Sequence, residues 1–181
     1  MEDSIDIEKC KKLREGIFFS KINENNFQTK KTDAVFDNNK IDITLTGEEI
    51  SRVNKIHNSI IELTSKNSED WFGKKISIEN CKKIFNNALS DNKLRCFYDS
   101  EIKFFSKNID QIERESLKDT IKGIALIKCD GVVFTKTYFF VKWKLLQFKI
   151  KNETEYLIKD LEEHSLSLSD ELDKIEDITL F

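Results

Sequence analysis

The chain has 181 residues and a formal net charge of −3, from 30 Lys and Arg against 33 Asp and Glu. Hydrophobic residues make up only 39% and charged residues 35%, but 14 Phe and two Trp can still build a core, because each ring buries a large area. No apolar run approaches the roughly 20 residues of a membrane helix, and the acidic start MEDSIDIEKC has no apolar segment, so neither a span nor a secretory leader is expected. An intracellular, reducing compartment is expected. Proline is absent while Lys, Ile and Asn abound, which AT-rich coding explains; the placement of the lysines therefore says more than their number.

Residues 1–15 read as a charged arm, and a β-rich core domain is expected over 16–151. Ile17, Phe18 and Phe19 open a strand. Residues 34–36 and 41–45 flank the polar turn at 37–40 as a hairpin, with Ile41, Ile43 and Leu45 alternating with polar residues. Thr46 and Glu49 form a capping box for a helix near 47–66 that carries Val53, Ile56, Ile60 and Leu63 on one face. Trp71 and Phe72 read as an apolar anchor in a polar loop. A second helix is expected near 77–89, with Cys81 and Phe85 inward, and the two helices read as an insertion between β sections.

Strands return at 93–98 and 102–105, and the polar stretch 107–118 has room for a short helix. Residues 121–129 and 132–150 carry the strongest β signal, with Asp130-Gly131 read as a hairpin turn and a break near 135–137. A C-terminal helix is expected over 152–164, followed by an acidic tail, 165–181. The four cysteines have no zinc-ligand spacing and read as buried thiols; His57, at helical spacing with Val53 and Ile61, reads as a core-edge histidine. No metal or cofactor is expected.

Side chains at i and i+2 share one face of a strand. Arg95 and Phe97 then sit with Lys93 opposite Leu94 and Cys96. Lys103 and Phe105 sit opposite Ile102 and Phe104. Tyr138, Phe140, Lys142 and Lys144 sit opposite Phe139, Val141, Trp143 and Leu145. Each strand thus has one apolar face and one that mixes cations with rings. Cations neutralise phosphates, and rings stack on unpaired bases, so this mixture suits a single-stranded nucleic acid. The competing reading is a solvated sheet face.

The charge is divided. Residues 160–181 carry −7 and the remainder +4. The acidic end finishes on an aromatic residue, Phe181, preceded by Asp173, Glu176, Asp177 and Ile178. This end resembles the acidic C-terminal tail of replication single-stranded DNA-binding proteins of bacteria and phages. Gly131-Val132-Val133-Phe134, Tyr138-Phe139 and Trp143 to Ile150 resemble the closing strands of single-stranded-DNA-binding-like proteins of large DNA viruses, as does the segment from Ser68 to Phe72 with its following helix. The resemblance implies an α+β fold: a mainly antiparallel OB-like β-barrel with the two-helix insertion. It also implies a DNA groove and a tail that recruits replication proteins. The chain departs from the bacterial pattern in its two long helices and in lacking a Pro before the terminal Phe.

The partners expected are single-stranded DNA, with RNA as an alternative, replication proteins at the tail, and a second copy of the chain as a candidate. A different class of function remains. Ile175-x-x-Ile178-x-x-Phe181 has the spacing of a sliding-clamp-binding peptide without its Gln and second aromatic, which would make the chain a clamp-binding or virion scaffolding protein. Glu101-Ile102-Lys103, with Asp91 or Asp99, matches the end of a metal-dependent nuclease core. Acid-x-Lys triplets recur by chance in so charged a chain, and no Gly-rich phosphate loop exists among five scattered glycines, so an enzyme is not expected.

Overall fold

A computed structural model describes residues 5–23 and 25–151. The expected C-terminal helix and acidic tail lie outside the described residues. The chain divides by internal contacts at Ile150. Its elements are, in chain order, β1 (Lys11–Arg14), β2 (Ile17–Lys21), β3 (Asn26–Gln28), β4 (Thr32–Asp37), β5 (Lys40–Thr44), α1 (Gly47–Phe72), α2 (Ile78–Ile84), β6 (Leu89–Ser90), β7 (Lys93–Phe97), β8 (Lys103–Phe105), β9 (Gln111–Ile112), a 3₁₀ turn (Arg114–Ser116), β10 (Thr120–Phe134) and β11 (Phe139–Ile150).

Five strands close on themselves in the order β4, β5, β7, β11, β10 and back to β4. Numbered by chain order within the ring, this is 1-2-3-5-4-1. All pairs are antiparallel except β7 with β11, which is parallel. That closed five-stranded ring with its helical insertion is an OB-like barrel in an α+β fold. Alternation directs Ile41, Ile43, Leu94, Cys96, Val141, Trp143 and Leu145 inward, where they are buried. Additional strands extend the sheet past the ring: β2 pairs the last residues of β10, and β1 pairs β2. A strand thus lies within the segment read as a charged arm.

Several sequence expectations change in the structure. The first helix runs to Phe72 rather than stopping near residue 66. Ser65 and Ser68, polar enough to suggest a stop, spend their hydroxyls on the loop beyond: Ser65 Oγ donates to the Ile76 carbonyl and Ser68 Oγ accepts from the Ile76 amide, both at 2.8 Å. Trp71 and Phe72 therefore stay in helical phase and pack edge-on against Phe134 at 5.8 and 5.1 Å. Gly73, at φ +66°, ends the helix in the left-handed region.

The second helix stops at Ile84, because Phe85 forms a parallel bridge to Phe139 and the Asn86 amide donates to the Phe139 carbonyl at 2.8 Å. Sheet capture overrides the helical signal and turns residues 86–90 into a wall beside β7.

Asp130-Gly131 is not a hairpin turn. β10 runs straight through it, and the register against β11 shifts by one residue between Cys129 and Gly131, a bulge. A Cβ on Gly131 would stand 2.4 Å from the Ser20 carbonyl oxygen and 2.5 Å from the Phe19 ring, so the glycine serves close strand approach rather than a reversal. The chain reverses instead at 135–138, the break seen in the sequence. There the Thr135 amide donates to the Tyr138 carbonyl at 2.9 Å and Thr135 Oγ1 accepts from the Tyr138 amide at 3.1 Å.

His57 is a core residue rather than a core-edge one, at 3% exposure. Trp143 Nε1 donates to its Nε2 at 3.1 Å, and Phe85 packs on the ring at 5.2 Å. That bond fixes the neutral tautomer with the proton on Nδ1, which has no hydrogen-bond partner among the described residues. Burial pushes its pKa down to about 4. Cys81, Cys96 and Cys129 are buried free thiols, as the sequence suggests; Cys10 is half-buried.

Candidate nucleic-acid interface

The predicted alternation holds on all three strands: Leu94, Cys96, Phe104, Phe139, Val141, Trp143 and Leu145 are buried, and their neighbours point outward. The tertiary fold then sorts the outward residues. Arg95, Phe97, Tyr138 and Phe140 meet in one groove of about 520 Å³. β5 and β7 form its floor, and the segment after α2 forms its wall with Asn86 and Asn87.

Three rings stand in a row along this groove. Tyr138 and Phe140 are 6.2 Å apart between centroids, and Phe140 and Phe97 are 6.4 Å apart. Each adjacent pair is tilted by 32°, nearer to face-to-face than to edge-on. The row arises because Tyr138, in the turn just ahead of β11, and Phe140 on that strand are i and i+2, while Phe97 stands on the parallel neighbour. Tyr138, 43% exposed, ends the row.

Cations flank the rings. Lys40 Nζ lies 5.6 Å from the Phe97 centroid. Arg95 is held flat by Asp42: Nε donates to Oδ1 at 2.8 Å and Nη2 to Oδ2 at 2.7 Å. The Arg95 hydrogen bond keeps the Asp42 carboxyl below its ordinary range, with Lys93 and Lys40 adding to the effect. Lys40, Lys93 and Arg95 outnumber the two carboxylates of the groove, Asp42 and Asp91.

The remaining predicted residues lie further along the barrel. Lys142 and Lys144 follow Phe140 on the outward face of β11. Lys142 pairs with Asp130 at 3.3 Å, and Lys144 with Asp99 at 2.7 Å and Glu101 at 3.9 Å. Lys103 and Phe105 pair with Gln147 and Lys149, seven and nine residues beyond Phe140 on β11, or ~23 Å and more at strand rise. They are not brought to the ring row. The Asp99 and Glu101 carboxylates of the nuclease-like triplet face Lys144. The tail residues Asp173, Glu176, Asp177, Ile178 and Phe181 lie outside the described residues.

Sequence reasoning missed Lys40 as a site residue, and the Asn86–Asn87 wall. Lys40 pairs with Phe97 across β5 and β7, a register no single strand reveals. The wall was hidden under a helical pattern. Lys93 was legible, since it shares the face of Arg95 and Phe97.

Fold and site together define the class: an OB-like barrel whose second and third strands and whose 4–5 turn carry a ring-lined, cation-flanked groove. These are the surfaces with which such barrels take oligonucleotides. The chain belongs to a family of unknown function, DUF5871, whose pattern matches residues 25–166. No curated protein matches. Among solved structures, a C-terminally truncated single-stranded DNA-binding protein from bacteriophage Enc34 aligns with a TM-score of 0.50 at 10% identity, over 82% of this chain and 94% of that chain. Another structure of the phage protein gives 0.48 at 11% identity, over 82% and 90%. Its complex with single-stranded DNA gives 0.48 at 9%, over 84% and 97%. The likeness is one of fold.

Proposed function

We propose that the chain is a single-stranded DNA-binding protein, acting without catalysis in replication or recombination inside the cell. The observation that carries this reading is the row Tyr138, Phe140, Phe97 in a groove flanked by Lys40, Lys93 and Arg95. Stacking on such rings is worth about 1–3 kcal/mol per base and is tolerant of sequence. Phosphates bound by the flanking cations release counterions, so binding weakens with salt. Duplex DNA keeps its base faces stacked inside and gives the rings nothing to meet. The phage protein that shares the fold is by name a single-stranded DNA-binding protein, which supports the reading at the level of fold.

The acidic end is the second working part. Its −7 charge and terminal Phe181 suit a peptide that meets a basic pocket on a replication protein, ring first. The same charge repels the phosphates of a nucleic acid, most strongly at low salt.

Titration of fluorescent oligo-dT, oligo-rU and duplex DNA across a salt series tests the reading. Binding of oligo-dT that weakens linearly in log salt, with duplex much weaker, is expected. Tighter oligo-rU would reassign the ligand to RNA. No binding below tens of micromolar would leave the clamp-binding or scaffolding reading, favoured by the spacing of Ile175, Ile178 and Phe181.

A further inference from the structure

The ring row does not end at the edge of the barrel. β10 leaves the closed ring in its last residues, where it pairs with β11 on one side and β2 on the other. Directly paired residues of antiparallel strands share a face. Phe140 pairs with Val133, Val133 with Phe19, and Phe19 with Lys11. Val133 and Phe19 are half-buried, so each shows part of its side chain on the outward face that carries Phe140. The next row runs parallel to the first: Lys142 pairs with Gly131, and Gly131 with Lys21.

Gly131 is what joins the two rows. The Phe19 ring lies where its Cβ would be, so the ring covers the bare backbone between Lys142 and Lys21. Any side chain at 131 would lift it. The strip therefore has an apolar track, Phe140, Val133 and Phe19, with Lys142 and Lys21 along one side and Lys11 at its end. Glu8 pairs with Lys11 at 3.2 Å and with Lys21 at 3.9 Å; Asp130 holds Lys142. These exposed or part-exposed pairs are weak, and a phosphate can replace the carboxylate in each.

We propose that the outward face of β2 and β1 is a second nucleic-acid subsite, continuous with the groove, in which Phe19 stacks on a base and Lys11, Lys21 and Lys142 take phosphates. This rests on the single-stranded DNA reading of the groove. Strand spacing gives its reach. From Phe140 across Val133 to Phe19 is two strand intervals, ~10 Å, beyond the three-ring row with its spacings of 6.2 and 6.4 Å, so a trinucleotide fills the groove alone and only a longer oligonucleotide reaches Phe19.

The test is a length comparison with the full chain, using labelled dT3 and dT15. Phe19→Ala should weaken dT15 about tenfold, within the range of one lost stack, and leave dT3 unchanged. Lys11→Gln with Lys21→Gln, which leaves every packed ring in place, should lower the log–log salt slope for dT15 by about 1 to 2 and leave the dT3 slope alone. Equal losses for both lengths, or none in the lysine variant, would overturn the subsite while the groove stands. If the wild-type chain binds neither oligonucleotide, the DNA reading itself fails.

Discussion

Phe140 is the middle ring of the row, 6.2 Å from Tyr138 and 6.4 Å from Phe97, so Phe140→Ala is the sharpest single perturbation of the site. Two costs can be separated in advance. In the folded protein the ring is half-buried on the outward face, so its removal costs about 1 kcal/mol of stability rather than the ~3–5 kcal/mol of a core Phe. In the complex it removes one stack outright and leaves the flanking rings without a neighbour. One stack of about 1–3 kcal/mol corresponds to roughly 5- to 150-fold in affinity. A ring carries no charge, so the salt slope should not move. The assay is fluorescence anisotropy with labelled oligo-dT at several salt concentrations, beside a thermal melt of the same sample. Parallel log–log lines, displaced by at least fivefold, with a melting shift of ~2–4 °C, are expected. Phe140→Trp, which keeps a stacking face, should restore most of the affinity. An alanine variant within twofold of wild type, or one whose slope changes with its affinity, would refute the stacking argument.

Other outcomes follow from other parts of the molecule. Gly131→Ala should destabilise the fold by about 2 kcal/mol or more, because the new Cβ meets the Ser20 carbonyl at 2.4 Å and the Phe19 ring; an unchanged denaturation midpoint would remove the bulge argument. His57 has its pKa lowered to about 4 by burial, against an ordinary value near 6.5. The unfolded chain therefore binds more protons between those values, and stability falls as pH falls through that window, by about 3 kcal/mol in all. Urea denaturation at pH 7 and pH 4.5 should show this fall to be smaller in His57→Phe; equal pH dependence in both proteins would disprove it. Deleting residues 165–181 should tighten oligo-dT binding at low salt, because most of the −7 that repels phosphate is removed with them; unchanged low-salt affinity would end that charge argument.

The overall charge of the chain changes meaning on division. An average of −3 argues against nucleic acid, but it sums +4 over residues 1–159 and −7 beyond. Even +4 is small, so position matters more than quantity. Strand alternation, a local property with period two, fixes which residues of β7, β8 and β11 face outward, and the sequence alone supplies it. The hydrophobic positions of Ile41, Leu94 and Trp143 and the capping pair Thr46 and Glu49 are equally local. Glu49 does accept the Thr46 amide at 2.6 Å.

What the sequence leaves open is long-range. Whether outward faces meet depends on strand pairing, and pairing joins residues far apart in the chain: Lys40 to Phe97, Lys144 to Phe97, Val133 to both Phe140 and Phe19. For this reason Phe105 shares the pattern of Phe97 and yet stands away from the groove. The Asp-Gly signal misleads for the same cause. A glycine needed for a tight turn and one needed under a neighbouring ring read alike, and only the position of Phe19 tells them apart. Composition and alternation thus determine strands with apolar inner faces and basic, aromatic outer ones; barrel closure alone decides which of those faces become one surface.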